Sequence, residues 1–261
     1  MSRFRGQKRN PNFGSGATTT SLRLETKLNA ARSSGQMNLS GLGLDCIPPQ
    51  ALDLRAALLK DTTSDVKAWE CYGEEMQTHV DLSDNPLGII EASDLEKFTS
   101  VKKLRLRRCY LKGFAPPGSL AALTFLDIMD NAIVGEFALD DLPQTINEVH
   151  MSNNNITSLG PAPSLPSLTV LSASSNALAS YPSLHSCPSL LSLTLNRNRL
   201  ANLSRLPNSI SALEMANNEL TGVLDLGGAA SLTSVDFKGN KLMGIVGVGK
   251  AMLQLDMSQN R

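Results

Sequence analysis

The chain has 261 residues, and its 24 lysines and arginines balance its 24 aspartates and glutamates. Hydrophobic residues make up 41% of the chain and aromatic residues only 4%, which suits a core of aliphatic side chains. No apolar run reaches the roughly 18 residues of a transmembrane helix, and no apolar signal-peptide segment follows the basic N-terminus. The sequence therefore predicts an intracellular protein of the cytoplasm or nucleus, without a membrane span.

Charge is unevenly distributed along the chain. The first 32 residues hold seven basic residues and one acid, Glu25, which leaves 17 basic and 23 acidic residues in the remainder. The seven are Arg3, Arg5, Lys8, Arg9, Arg23, Lys27 and Arg32. Such a segment is most often a solvated tail, although it could contact nucleic acid, anionic lipid or an acidic protein. Residues 1–20 lack periodicity and are predicted to form a mobile basic arm.

Residues 21–78 are predicted to form an N-terminal cap. Leu24, Leu28 and Ala31 recur at the spacing of a short amphipathic helix over residues 21–32, and a first strand is expected over residues 36–42. A helical interruption then extends to about residue 75 and contains Trp69, the only tryptophan. Burial of Trp69 in the cap is the first interpretation, and an exposed recognition aromatic is the alternative.

The clearest pattern is the segment LLSLTLNRNRL at Leu190–Leu200, which fits LxxLxLxxNxL. Leu193 and Leu195 alternate with polar residues at the period of a strand, so they should point inward. Asn198 follows at the turn, where its amide can bond the backbone of its own turn and of the next one. The segment is a leucine-rich repeat, and its asparagine is predicted to be structural.

The same frame recurs with a spacing of 20 to 24 residues, inside the range of leucine-rich repeats. Cys109 takes the asparagine position in VKKLRLRRCYL, and Gln36–Leu44 is a weaker copy without it. The predicted fold is an α/β right-handed solenoid over residues 79–261, with a parallel β-sheet on the concave face and an irregular or short-helical convex side. The predicted ladder of turn residues is Asn85, Cys109, Asn131, Asn154, Asn176, Asn198, Asn218, Asn240 and Asn260.

Two features concern the convex side and the end of the solenoid. Apolar residues such as Leu159, Tyr181 and Val223 follow the last leucine of a repeat by three and are expected to close the convex wall. Leucine-x-glycine pairs at Gly113, Gly222 and Gly244 resemble repeats that add a short convex strand. The last repeat stops at Arg261, before its final leucine, so we expect the sequence to belong to a longer protein.

Three features of the N-terminal portion are distinctive: MSRFRGQKRNPNFGSG at the start, AARSSGQMNLSGLGL ending at Leu44, and Trp69 before the repeats. Together they resemble the leucine-rich-repeat-containing protein 40 family. The resemblance covers about the first 85 residues, beyond which the repeat is generic. It implies a longer intracellular repeat protein without known catalysis.

No catalytic motif is present, and neither an enzyme nor a cofactor is predicted. His79 and His150 fall on strands of different repeats and lack the spacing of a metal site. The acids Asp127, Glu214, Asp236 and Asp256 share one strand position and should form a concave column. Solvent exposure accounts for such a column, and ligand contact is the alternative.

The basic segment VKKLRLRR at Val101–Arg108 is the strongest candidate for binding. Alone it resembles a nuclear-localisation or nucleic-acid tract, but the repeat frame buries its leucines and sends Lys103, Arg105 and Arg107 outward, with Arg108 at the turn. It is either a plain solvated strand or a patch for an acidic peptide. The predicted partner-binding residues are Lys103, Arg105, Arg107, Arg108, Asp127 and His150.

The first functional hypothesis is therefore a scaffold that binds a protein or peptide on the concave sheet. The alternatives are an adaptor resembling a phosphatase regulatory subunit, and a nucleic-acid or anionic-surface adaptor acting through the basic arm. The repeat fold favours the first and makes nucleic acid an unlikely partner.

Overall fold

The computed structural model of the protein describes residues 16–52, 77–161 and 164–261. It begins with the helix α1 (Gly16–Ser34), which packs against the first strand. Leu28 and Ala31 are buried, as the sequence predicts. The helix starts five residues before the predicted position, inside the predicted arm, because no proline or glycine lies between Ala17 and Ser34 to stop it. It ends at Gly35, whose φ of 64° and N–H bond to Ala31 are typical of a helix C-terminus.

Fourteen short strands and three further helical turns follow in the described residues. The helices are α2 (Pro49–Leu52), α3 (Ala92–Leu95) and a 3₁₀ turn at Leu139–Asp141. The strands are β1 (Gln36–Asn38), β2 (His79–Asp81), β3 (Lys103–Arg105), β4 (Phe125–Asp127), β5 (Val134–Glu136), β6 (Glu148–His150), β7 (Asn155–Ser158), β8 (Val170–Ser172), β9 (Ser192–Thr194), β10 (Ala212–Glu214), β11 (Thr221–Asp225), β12 (Ser234–Asp236), β13 (Lys241–Val246) and β14 (Gln254–Asp256).

Ten of these strands form one parallel sheet on the concave face. Its order is β1-β2-β3-β4-β6-β8-β9-β10-β12-β14, so each turn of the solenoid adds one strand beside the previous one. Because β1 belongs to this sheet, the sheet begins inside the segment predicted to be the cap. The ten strands confirm the predicted parallel solenoid.

The central residue of each concave strand points into the core. The register places these residues side by side, and nine of the ten are 0–1% exposed: Met37, Val80, Leu104, Leu126, Val149, Leu171, Leu193, Leu213 and Val235. The inward orientation predicted for Leu193 is confirmed. In β14 the equivalent residue, Leu255, is 41% exposed, since among the described strands β14 pairs with β12 alone.

The asparagines after the strands bond the backbone of two turns. Asn154 donates its amide to the carbonyls of Met151 and Ser152 in its own turn and of Ile128 in the preceding turn, and accepts the N–H of Ile133 there. The sequence interpretation named the next turn, and that direction is wrong: the bonds run to the preceding turn. Cys109 replaces this donor with its thiol, which lies 3.3 Å from the carbonyl of Leu82.

The convex side is mixed, as expected. Strands β11 and β13 contain Gly222 and Gly244, but the segment at Gly113 forms no strand. A further convex pair, β5 and β7, was not predicted, although Ile133 and Gly135 repeat the same spacing. The prediction for Val223 is wrong: it is 58% exposed, because Thr221–Asp225 forms a regular strand whose alternation turns Val223 outward and Leu224 inward.

The predicted interruption lies mostly outside the described residues. The helix expected after Pro48 is seen only as α2, in which Ala51 is buried. Trp69 and the second predicted helix around it fall in residues 53–76, which the structure does not describe. The basic residues of the arm up to Arg9 also fall outside the described range.

Candidate partner-binding face

Four of the six predicted binding residues lie together on the concave face of adjacent strands. Arg105 on β3 is beside Asp127 on β4, which is beside His150 on β6. Lys103 lies one outward position earlier on β3, next to Phe125 on β4. The structure therefore places two basic side chains, one carboxylate, a histidine and an aromatic ring on three neighbouring strands.

Phe125 connects the charged residues of this face, and the sequence interpretation did not include it. The guanidinium carbon of Arg105 lies 5.3 Å from the centre of the Phe125 ring, a cation–π distance. The rings of Phe125 and His150 have centroids 5.3 Å apart, and His150 Nε2 lies 3.4 Å from a carboxylate oxygen of Glu148. Both Phe125 and Glu148 occupy outward positions of the repeat frame, so the sequence held the signal that places them here.

Arg107 and Arg108 are engaged by neighbouring acids. The Nε atom of Arg107 lies 2.7 Å from a carboxylate oxygen of Asp130. Arg108 bonds both carboxylate oxygens of Asp84, the second at 2.9 Å. The bonds from Arg108 lower the pKa of the Asp84 carboxyl. These two arginines therefore offer less free charge than the sequence suggested.

Lys103 and Arg105 differ from them. Both are exposed, and within the described part of the chain no carboxylate lies within 4.0 Å of either. Their charges are available to a partner, whereas an already paired arginine must first break its ion pair.

Asp127 has a local structural role as well. Its Oδ1 atom accepts the backbone N–H of Met129 at 3.0 Å, a turn bond that Asp236 and Asp256 also make with the residue two positions on. Asn38 makes the same bond without a charge, so the turn does not itself require an acid.

The predicted acidic column is only partly continuous. Glu214, Asp236 and Asp256 are direct neighbours in the sheet. Asp127 is separated from them by His150, Ser172 and Thr194, so its inclusion in one column was wrong.

His79, on β2 beside Lys103 of β3, makes the stability of the fold depend on pH. Burial, followed by the charges of Lys103, Arg105 and Lys102, lowers its pKa from the ordinary 6.5. As pH falls below 6.5, the unfolded chain binds this proton before the folded chain does, so stability must decrease.

We therefore expect the urea concentration at the midpoint of unfolding to be lower at pH 5.5 than at pH 7.5. The difference between the two pH values should be smaller in a His79→Gln variant. The carboxyls of Asp84, Asp130 and Asp256 have lowered pKa values and titrate below this window, from 3.8 downward. If the midpoint changed equally with pH in the wild type and in His79→Gln, His79 would not be the cause of the pH dependence.

Other chemistry finds little support in the described residues. Within the three described ranges, no group of three or more His, Cys, Asp or Glu side chains could hold a metal ion. Burial raises the pKa of the Cys109 thiol to about 11, so this cysteine is unsuited to act as a nucleophile near neutral pH. No helix in the part that the structure describes is long and apolar enough to cross a membrane.

Comparison with known proteins points to structural similarity alone. No protein-family model and no curated protein sequence matches the chain. A leucine-rich-repeat protein of Leptospira interrogans matches with a TM-score of 0.70 and 22% identity, over 91% of this chain and 58% of its own. YopM from Yersinia enterocolitica matches with a TM-score of 0.58 and 21% identity, over 96% of this chain and 52% of its own.

A third similar structure is the ectodomain of the Arabidopsis thaliana membrane receptor kinase GASSHO1/SCHENGEN3, solved in complex with Casparian strip integrity factor 2. Its TM-score is 0.53 and its identity 22%, over 72% of this chain and 28% of its own. The chain thus spans less than two thirds of the length of each of these three proteins. These similarities do not single out the leucine-rich-repeat-containing protein 40 family. Together with the repeat motif and the ten-stranded parallel sheet, they show that the chain has the leucine-rich-repeat fold.

Proposed function

We propose that the chain is a non-catalytic scaffold that binds an acidic segment of a partner protein on the concave face of β3, β4 and β6. The observation that carries this proposal is the pair Lys103 and Arg105, two exposed cations without a carboxylate within ion-pair distance in the described residues. The flanking arginines, in contrast, are already paired with Asp84 and Asp130. A carboxylate of a partner can therefore bind the free pair without displacing an internal acid.

The aromatic residue beside these cations supports a protein partner. Phe125 is only half-buried, and its ring contacts both the guanidinium of Arg105 and the ring of His150. Because the contact with Phe125 already restrains Arg105, this side chain loses less conformational entropy when a partner binds. Aromatic and arginine side chains are also the residues that most often dominate protein interfaces.

The two acids on this face would set specificity. Asp127 lies beside Arg105, and a carboxylate oxygen of Glu148 lies 3.4 Å from His150 Nε2. An acidic residue of the partner would meet repulsion there, so the bound segment should place its carboxylates over β3, and any part of it that reaches β4 or β6 should be neutral. The expected partner is thus acidic in part of its length only.

Similar structures give this proposal its context. The receptor ectodomain with the same fold was solved in complex with another molecule, Casparian strip integrity factor 2, which illustrates the fold in a binding protein. The resemblance of the first 85 residues to the leucine-rich-repeat-containing protein 40 family points the same way, since it implies a repeat protein without known catalysis. We accordingly assign no catalytic residue and no cofactor.

Peptides selected from a random dodecapeptide library on the immobilised chain provide the test. We expect the selected peptides to be enriched in Asp and Glu, and Arg105→Glu to weaken their binding at least about tenfold, the effect of losing roughly 1.4 kcal/mol. Lys250→Glu is the matched control, because it makes the same charge change at an exposed lysine outside the concave strands. Equal losses in the two variants, or none in Arg105→Glu, would contradict the proposed site.

A further inference from the structure

A second exposed surface borders the candidate face, at the edge where the concave strands turn. Tyr110 is 70% exposed, Ile89 67% and Val134 60%. Their turns are consecutive: the N–H of Lys112 bonds the carbonyl of Gly88 at 3.3 Å, and the N–H of Val134 bonds the carbonyl of Lys112 at 3.2 Å. We call Ile89, Tyr110 and Val134 the rim patch.

Tyr110 adopts a backbone conformation that costs free energy for its residue type. Its φ is +56°, in the left-handed region that a tyrosine rarely occupies. The next turn of the solenoid imposes it, because Asn131 Oδ1 accepts the N–H groups of Cys109 and Leu111, on either side of Tyr110. Gly43 occupies the equivalent position two turns earlier with a φ of +70°, which shows that glycine satisfies the same geometry.

Packing does not explain why a tyrosine stands there. The ring of Tyr110 is largely in solvent, so burial cannot repay the unfavourable backbone conformation. Residues held in sparsely populated conformations concentrate at functional sites. An exposed aromatic side chain is also the residue type that provides large contact area in protein recognition.

The charges around the rim patch come from the same turn of the solenoid. Lys103 and Arg105 precede Tyr110 in the chain, and the exposed Lys112 follows it. In the described ranges, none of these three cations has a carboxylate within 4.0 Å. The free positive charge and the exposed aromatic ring therefore lie along one turn, in the order cation, aromatic, cation.

We propose that the partner runs along β3 and over the edge of the sheet, with acidic groups on Lys103 and Arg105 and one large apolar side chain on Tyr110 and Ile89. This inference rests on the proposed function and adds the direction of the bound segment and its apolar anchor. Tyr110 lies five positions after Arg105, a distance of at most about 17 Å along the chain. The anchor should therefore lie within about five residues of the acidic pair in an extended partner.

Two fluorescein-labelled decapeptides test the anchor directly. Both carry a Glu-Glu pair, and the residue five positions later is Trp in one and Ser in the other. We expect the wild-type chain to bind the Trp peptide at least about fivefold more tightly, since one buried aromatic side chain exceeds that difference in favourable cases. In Tyr110→Gly the two peptides should bind equally, while the melting temperature rises by roughly 2–4 °C as the strain is removed.

Arg197→Gly is the matched control, because Arg197 is also exposed with a φ of +55° but lies on a distant turn. It should raise the melting temperature and leave the preference for the Trp peptide intact. Equal binding of both peptides by the wild type, or an unchanged preference in Tyr110→Gly, would overturn the inference. If Arg105→Glu still weakens both peptides in that case, the proposed function stands without the rim patch. If Arg105→Glu also has no effect, the proposed function fails.

Discussion

Replacing Asn154 with alanine is expected to lower the free energy of unfolding by about 3–5 kcal/mol, because several buried backbone groups lose their partner at once. The side chain is 6% exposed. It accepts the N–H of Ile133 at 3.1 Å and donates to the carbonyls of Ile128 and Met151, each at 3.0 Å. Each unmet group costs roughly 1–3 kcal/mol, and water entering the turn would recover only part of the total.

Asn155→Ala is the control, since it removes the same side chain from the next position. Asn155 is exposed and its side chain has no hydrogen bond to any described residue, so the change should stay within about 0.5 kcal/mol. Urea unfolding followed by circular dichroism measures both variants. Similar losses for the two would show that the asparagine position does not hold neighbouring turns together.

The asparagine positions show what a repeat pattern can and cannot reveal. Periodicity identified Asn154 and its equivalents, because each sits at a fixed distance from a buried strand residue. It could not choose the direction of their bonds, since an equivalent turn lies on either side of each asparagine. The structure shows that Asn85, Asn131 and Asn154 all bond the preceding turn. The direction of these bonds depends on how neighbouring turns are displaced relative to one another. The repeat pattern in the sequence does not contain this information.

The candidate site was predictable in position but not in pairing. Strand alternation correctly sent Lys103 and Arg105 outward. Arg107 pairs with Asp130 and Arg108 with Asp84 in neighbouring turns, across 23 and 24 positions of the chain. Both acids stand at the left-handed position before the turn residue, with φ of 56° and 61°. Which of several facing charges pair depends on side-chain reach, and a linear pattern does not supply it.

Strand alternation accounts for the error at Val223 on the convex side. The prediction assumed that the three-residue offset holds in every repeat. Because Thr221–Asp225 forms the regular strand β11, alternate side chains face the same way, so Val223 faces solvent and Leu224 is 8% exposed. The irregularity of this strand pair lies in β13, where Met243 has no partner in the register.

Leu193→Ala is expected to destabilise the fold by roughly 2–5 kcal/mol, the cost of a cavity in a packed core. Leu193 is fully buried in β9 and lies between Leu171 on β8 and Leu213 on β10. Because each turn of a solenoid is stabilised by its contacts with both neighbours, a cavity in β9 weakens two interfaces at once.

Leu255→Ala provides the comparison, since Leu255 holds the same position in β14 but is 41% exposed and has Val235 as its one sheet neighbour. Its loss should cost about 1 kcal/mol or less, because much of the side chain is already in water. Urea unfolding gives both free energies, and hydrogen exchange locates the change: protection should fall in β8, β9 and β10 of Leu193→Ala and stay unchanged there in Leu255→Ala. An unaltered unfolding curve for Leu193→Ala would show that the buried row of strand residues does not carry the stability of the sheet.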